Sequence, residues 1–137
     1  PLLLDRWSNL DGQLSHRRKI AYFYLNRLKK NKKLSLLTTA SDIKIGSNLR
    51  FPVLTKNQKS LQSLINFLAQ HQVFLSDRWY RQPVDSGSMK FKTAYQPGSC
   101  PQAEKVAKLI LNLPTHQNIS LTQAEKIVEL INNWSKN

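Results

Sequence analysis

The sequence predicts an α+β chain: a long N-terminal helix, then a small sheet with helices packed on one face. Three features lead there. Apolar residues from Leu3 to Leu28 recur at steps of three and four. Between Leu49 and Leu75 the pattern runs strand, helix, strand, and from Pro101 to Trp134 two capped helices flank a short apolar strand.

The first stripe is Leu3, Trp7, Leu10, Leu14, Ala21, Tyr24 and Leu28, interrupted by Arg17. It predicts a helix of about 27 residues, on the order of 40 Å long, which is more than a small domain needs for itself. A helix of that length bridges two bodies or joins a coiled coil, although the seam is short for the latter. From Lys29 to Ser47 the chain is polar and punctuated, and reads as a connecting loop with a short strand at Leu34 to Leu37. Leu49 to Leu54 alternates toward an extended run in which Pro52 implies an edge strand or a bulge. Thr55 and Gln58 have the spacing of a capping box, and Leu61, Leu64, Ile65 and Leu68 form one helical face that stops near His71. Val73 to Leu75 reads as a second short strand.

Pro97, Gly98 and Ser99 announce the next helix, with Pro101 in its opening turn, where a missing N–H costs nothing. Its expected buried face is Ala103, Val106, Ala107, Ile110 and Leu111. Leu111 to Pro114 is a brief extended segment, after which Ser120 and Gln123 make a capping box and Ile119 is placed to staple against Ala124. Ala124, Ile127, Val128, Ile131 and Trp134 are the inward stripe of the last helix.

A chain of 137 residues is the size of one domain. No apolar run approaches the roughly 20 residues that cross a bilayer, so no membrane partner is expected. The single cysteine, Cys100, has no internal disulfide partner and no second thiol for a metal cluster, which fits a reducing cytoplasm. No metal-ligand spacing links His16, His71 and His116. The net charge of +13 invites a nucleic-acid or polyanion reading. Eight of the 21 basic residues, Arg17, Arg18, Lys19, Arg27, Lys29, Lys30, Lys32 and Lys33, fall between Gly12 and Ser41 with no acid among them. Without a zinc spacing, an RNP-like motif or a helix-turn-helix glycine turn, that reading rests on charge alone, and a solvated helix face accounts for the same run.

The order Cys100-Pro101-x-Ala103-Glu104, apolar helix, Leu111-x-Leu113-Pro114-x-His116, Ser120, amphipathic helix resembles the carboxyl end of the DegT/DnrJ/EryC1/StrS aminotransferases. The stretch DRWSNLDGQLSHRRKIAYFYLNRL is similar to the basic helix by which that family passes from its large to its small domain. The resemblance implies the small domain of a fold-type I pyridoxal-phosphate enzyme. Residues 1–30 would be the interdomain connecting helix and 31–137 the small α+β domain, with the cofactor-binding large domain absent. A start at Pro1, with Met89 the only methionine, fits such a fragment.

The resemblance further implies a parent that transfers an amino group to a keto sugar or nucleotide-linked sugar and works as a homodimer. In the family the imine-forming lysine, the aspartate on the pyridine nitrogen and the phosphate donors precede the connecting helix. No catalytic, cofactor-binding or metal residue is therefore expected in this fragment, which should be inactive alone. Substrate contact would come from the loop after Leu75, where family members carry a histidine-tyrosine-proline-like segment. Here Arg78, Trp79, Tyr80 and Arg81 stand in that place, aromatics suited to stack on a base or sugar and guanidinium forks suited to phosphates, and the change leaves the substrate class open. The same residues would equally serve as an aromatic plug at the domain edge. Cys100, Pro101, Glu104, Leu113, Pro114 and His116 are expected to be structural, with Cys100 packed at a helix start and the His116 ring bonded to nearby backbone. Asp77 and Asp85 form the only loop carboxylate pair and lack any feature of acid–base machinery.

Overall fold

The computed structural model describes residues 9–75, 83 and 95–136. Helix α1 spans Leu10–Leu28 and leads through a tight turn to strand β1, Leu34–Leu36. Helix α2, Ala40–Ile45, connects β1 to strand β2, Arg50–Thr55. Helices α3, Gln58–Gln70, and α4, Pro101–Ala107, precede strand β3, Ile110–Pro114, and helix α5, Leu121–Trp134, follows it.

The three strands form one antiparallel sheet in the order β1-β2-β3. Side chains alternate across it as the pleat requires. Phe51, Val53, Leu111 and Leu113 are fully buried, while Arg50, Pro52, Leu54, Ile110, Asn112 and Pro114 on the opposite face are only partly covered. The buried face meets Ile20, Ala21, Tyr24 and Leu28 of α1, Leu61, Leu64 and Leu68 of α3, and Ala124, Ile127, Val128, Ile131 and Trp134 of α5. The α+β arrangement with helices on one face is therefore present, and the α3 and α5 stripes lie where periodicity puts them.

Pro52 sits in the central strand, where a missing N–H would ordinarily break a ladder. Parity resolves this. The Thr55 N–H bonds the Leu109 carbonyl on the β3 side, so the odd-numbered residues of β2 direct their N–H groups toward β3 and position 52 directs its own toward β1. The last β1 pairing is Leu36 with Val53, so at Pro52 the strand is locally an edge and no bond is lost.

Several local expectations are corrected. Residues 40–45, read as loop, are helical because the Thr39 side chain accepts from the Asp42 N–H and the Asp42 carboxylate accepts from the Thr39 N–H. Helix α3 is capped by Asn57, whose side chain accepts from Ser60 N–H, whereas Thr55 donates its hydroxyl to the Asn57 and Leu109 carbonyls. Residues 73–75 are not a strand. After α3 the chain turns at Gln72, φ 61°, with Val73 N–H on the Leu68 carbonyl and Gln72 N–H on that of Ala69, the double bond of a Schellman ending. Helix α4 ends at Ala107, so of its expected buried face only Ala107 is buried within the helix; Ala103 and Val106 are exposed and Ile110 and Leu111 belong to β3.

Helix α1 begins at Leu10 behind the N-cap residue Asn9 and has 19 residues, shorter than the single helix of about 27 expected from the stripe, and its burial divides along its length. Ile20, Ala21, Tyr24 and Leu28 are 0–1 % exposed, yet Leu10 is 39 % exposed and Leu14 half-buried. Leu3 and Trp7 lie outside the described residues.

Candidate functional site

The sequence-predicted substrate residues Arg78, Trp79, Tyr80 and Arg81, and the pair Asp77 and Asp85, lie outside the described residues. The chain reaches that segment from Val73, Phe74 and Leu75, which line a cavity of about 370 Å³. Its other walls come from the partly covered face of β2 and β3, through Arg50, Asn112 and Pro114, and from the β3–α5 connection and α5, through His116, Ile119, Gln123, Lys126 and Ile127. Phe74 stands 69 % exposed at its rim.

His116 lines this wall together with Arg50 and Lys126. Burial, then the charges of Arg50, Arg17 and His16, push its pKa below the ordinary histidine value and so favour the neutral imidazole. Its ring makes no hydrogen bond to a described residue; the backbone contact is instead its own carbonyl accepting from the Ile119 N–H. The ring that does bond backbone here is that of His16 in α1, whose Nε2 lies 3.0 Å from the Ile119 carbonyl oxygen, while the His71 Nδ1 lies 2.8 Å from the Phe67 carbonyl oxygen. Both helix histidines thus have a backbone partner. Arg50 and Lys126 put two cations on the wall, giving a basic concavity beside an imidazole whose neutral, acceptor-capable form is favoured.

The C-terminal motif acts on the backbone. One oxygen of Glu104, Oε1, accepts from the Tyr95 hydroxyl at 2.9 Å, the Gly98 N–H at 2.7 Å and the Cys100 N–H at 3.3 Å. These bonds, that from Tyr95 first, hold the Glu104 carboxyl below its usual pKa. They fold the turn at Gly98, φ 93°, onto the start of α4, with Pro101 in the first turn. Cys100 is the N-cap residue but is exposed and makes no side-chain cap bond, so it is not the packed residue expected. Leu113 is buried in β3, and the Pro114 carbonyl accepts from the hydroxyl of buried Tyr24 at 3.2 Å, tying α1 to the end of the motif strand. Thr115, fully buried, closes the same corner by donating to the Asn48 carbonyl at 2.6 Å. Sequence reasoning passed over Tyr24 and Thr115 as partners of this turn, since both bonds join residues more than 60 positions apart.

The described residues do not fit a pyridoxal-phosphate imine site. A lysine that forms an imine needs burial to shed its proton, and every described lysine is exposed except half-buried Lys33, whose ammonium is directed at the Trp134 carbonyl and ring. Among the described residues no three His, Cys, Asp or Glu side chains are grouped to hold a metal ion, and no helix is long and apolar enough to cross a membrane. Within the basic run Arg17 reaches the Leu49 carbonyl, Arg27 lies over the Phe23 ring and Lys33 is directed at the Trp134 carbonyl.

The fold is that of aminotransferase domains. The structure superposes on Streptomyces venezuelae DesV, solved in complex with a ketimine intermediate, with a TM-score of 0.76 and 24% sequence identity over 99% of this chain and 35% of that one. A DegT DnrJ EryC1 StrS aminotransferase from Brucella abortus gives 0.74 and 21% over 98% and 34%, and Helicobacter pylori PseC, an aminotransferase involved in the biosynthesis of pseudoaminic acid, gives 0.66 and 16% over 97% and 35%. The chain thus spans about a third of the length of these proteins. No curated protein matches it in sequence. The sequence profile of the DegT/DnrJ/EryC1/StrS aminotransferase family matches residues 2–132, and the chain belongs to that family.

Proposed function

We propose that this chain is the C-terminal small domain of a cytoplasmic, homodimeric, pyridoxal-phosphate-dependent aminotransferase that delivers an amino group to a keto sugar or nucleotide-linked sugar. Residues 1–30, which contain α1, are its connecting segment and 31–137 the domain that closes over the reactive centre, with Arg78, Trp79, Tyr80 and Arg81 contacting substrate. The cofactor supplies the amino-group chemistry when bound to the parent's large domain, and this chain supplies closure and polar contacts.

The observation that carries the reading is the divided burial of α1. A helix that served only its own body would be covered along its whole inward face, whereas here coverage ends toward the N-terminus, at half-buried Leu14 and exposed Leu10. Such an apolar remnant fits a second body resting on it. Family membership and the length ratio of the superposed aminotransferases support the same conclusion, and the PseC superposition favours a sugar-like acceptor.

The test is to express the complete reading frame that contains this chain and record its visible absorbance. A band of protein-bound pyridoxal phosphate that shifts on adding an amino donor is expected, with transfer to keto sugars. A reading frame with no cofactor-binding domain and no such band overturns the proposal.

A further inference from the structure

A second concavity, about 780 Å³, runs along α3 between that helix, the α1–β1 turn and the end of α5. Three lysines converge at one end. Lys33 from the turn before β1, Lys56 just after β2 and Lys59 in the first turn of α3 all line it, and like charges gathered in one place repel. No acid lines the groove, and neither Arg27 nor Glu125, which form a salt bridge at 4.0 Å, is part of its wall. Lys56 also lines an adjoining concavity with Lys105 and Lys108, whose one acid, Glu104, has an oxygen already committed to three donors. Lys33 is held in place, its ammonium 3.4 Å from the Trp134 carbonyl and 5.2 Å from the centre of the Trp134 ring, while the indole N–H donates to Ser63.

The other end is different in kind. Past Ser63 the wall continues through Asn66, Phe67 and Gln70, uncharged and partly aromatic. From Lys59 to Gln70 the helix advances about 16 Å at ~1.5 Å per residue. A ligand matching this groove carries concentrated negative charge at one end and a neutral, partly planar, hydrogen-bonding body at the other. Lysine is a point-charge binder suited to phosphoryl oxygens, and three ammonium groups answer two phosphoryl groups better than one.

We propose that this groove binds a nucleoside diphosphate, the diphosphate between Lys33, Lys56 and Lys59 and the nucleoside along Ser63, Asn66 and Phe67. The site uses none of the residues invoked for substrate contact and stands independently of the aminotransferase reading.

The experiment titrates UDP into the isotopically labelled chain and follows the Trp134 indole and the α3 amides by NMR. Saturable shifts confined to those resonances are expected, with inorganic phosphate and uridine each binding at least tenfold more weakly. The combined Lys33→Gln, Lys56→Gln and Lys59→Gln variant, with Lys56 and Lys59 exposed and Lys33 half-buried, should lose at least tenfold in affinity. Asn66→Trp, which obstructs the neutral arm and leaves the lysines in place, should weaken UDP while sparing pyrophosphate, and it serves if the triple variant does not fold. The proposal is overturned by no saturable shift, by equal affinity for inorganic phosphate and UDP, or by a single-stranded oligonucleotide outcompeting UDP at the same lysines.

Discussion

Replacing Tyr24 by phenylalanine isolates the bond that joins α1 to the end of the family motif. Tyr24 is fully buried, its ring packs 5.6 Å from that of Phe51, and its hydroxyl donates to the Pro114 carbonyl at 3.2 Å. Phenylalanine keeps the ring and removes only the donor. A neutral hydrogen bond contributes about 0.5–1.5 kcal/mol net, and a length of 3.2 Å exceeds the usual O–H···O distance. The expected loss is therefore about 0.5–1 kcal/mol, or roughly 2–5 °C in Tm for a chain of this size. Tyr24→Ala, which also empties the site between α1 and the sheet, should cost about 3–5 kcal/mol.

The pH dependence supplies a second reading from the same pair. Burial pushes the Tyr24 phenol pKa up, so the folded chain holds that proton more tightly than the unfolded one. The resulting stability is complete below the ordinary tyrosine pKa of about 10 and is lost as pH rises beyond it. Urea unfolding of wild type and Tyr24→Phe at pH 7 and at pH 10.5 should show the gap between them narrowing or reversing at the higher pH. A phenylalanine variant as stable as wild type at pH 7, or as damaged as the alanine variant, would refute the assignment of this contact.

Thr39→Ala removes the cap of α2 and should cost about 0.5–2 kcal/mol by urea unfolding. The bond from the Thr39 side chain, then that from its backbone, lowers the Asp42 pKa; the stability gained is present above the usual carboxylate pKa of about 4 and is lost as pH falls through the folded value. The difference between wild type and Asp42→Asn should accordingly shrink on acidification. Pro52→Val should change stability by less than about 0.5 kcal/mol, since that N–H position has no partner to gain, whereas Val53→Pro, which deletes a bond to β3, should cost about 3 kcal/mol or more. Gly98→Ala should cost about 1–2 kcal/mol from backbone strain alone, because φ is 93° and nothing lies within 4 Å of an added Cβ; Tm measures it.

Much of this architecture was legible because periodicity and capping agree. The α5 stripe and its Ser120–Gln123 box needed only nearest neighbours, and each stripe residue is buried. Helix α2 escaped notice although Thr39 and Asp42 carry the same signature, because its six residues bury a single apolar side chain, Ile43, and so show no periodicity. Residues 73–75 misled in the opposite sense, three apolar residues in a row that gain no strand partner and instead follow the α3 terminus. At the cavity, the sequence singled out His116 but not its surroundings, which come from α1, β2 and α5 and meet only after folding.

The His16 contact has a mechanical consequence. Helix α1 runs unbroken from its exposed end into the core, and His16 fastens it to the Ile119 carbonyl about 9 Å from Leu10 and about 18 Å from Leu28, at ~1.5 Å per residue. The helix is thus a lever with its fulcrum nearer the outer end. A push on Leu10 bears first on that pivot, and the pivot belongs to the same short connection that carries His116.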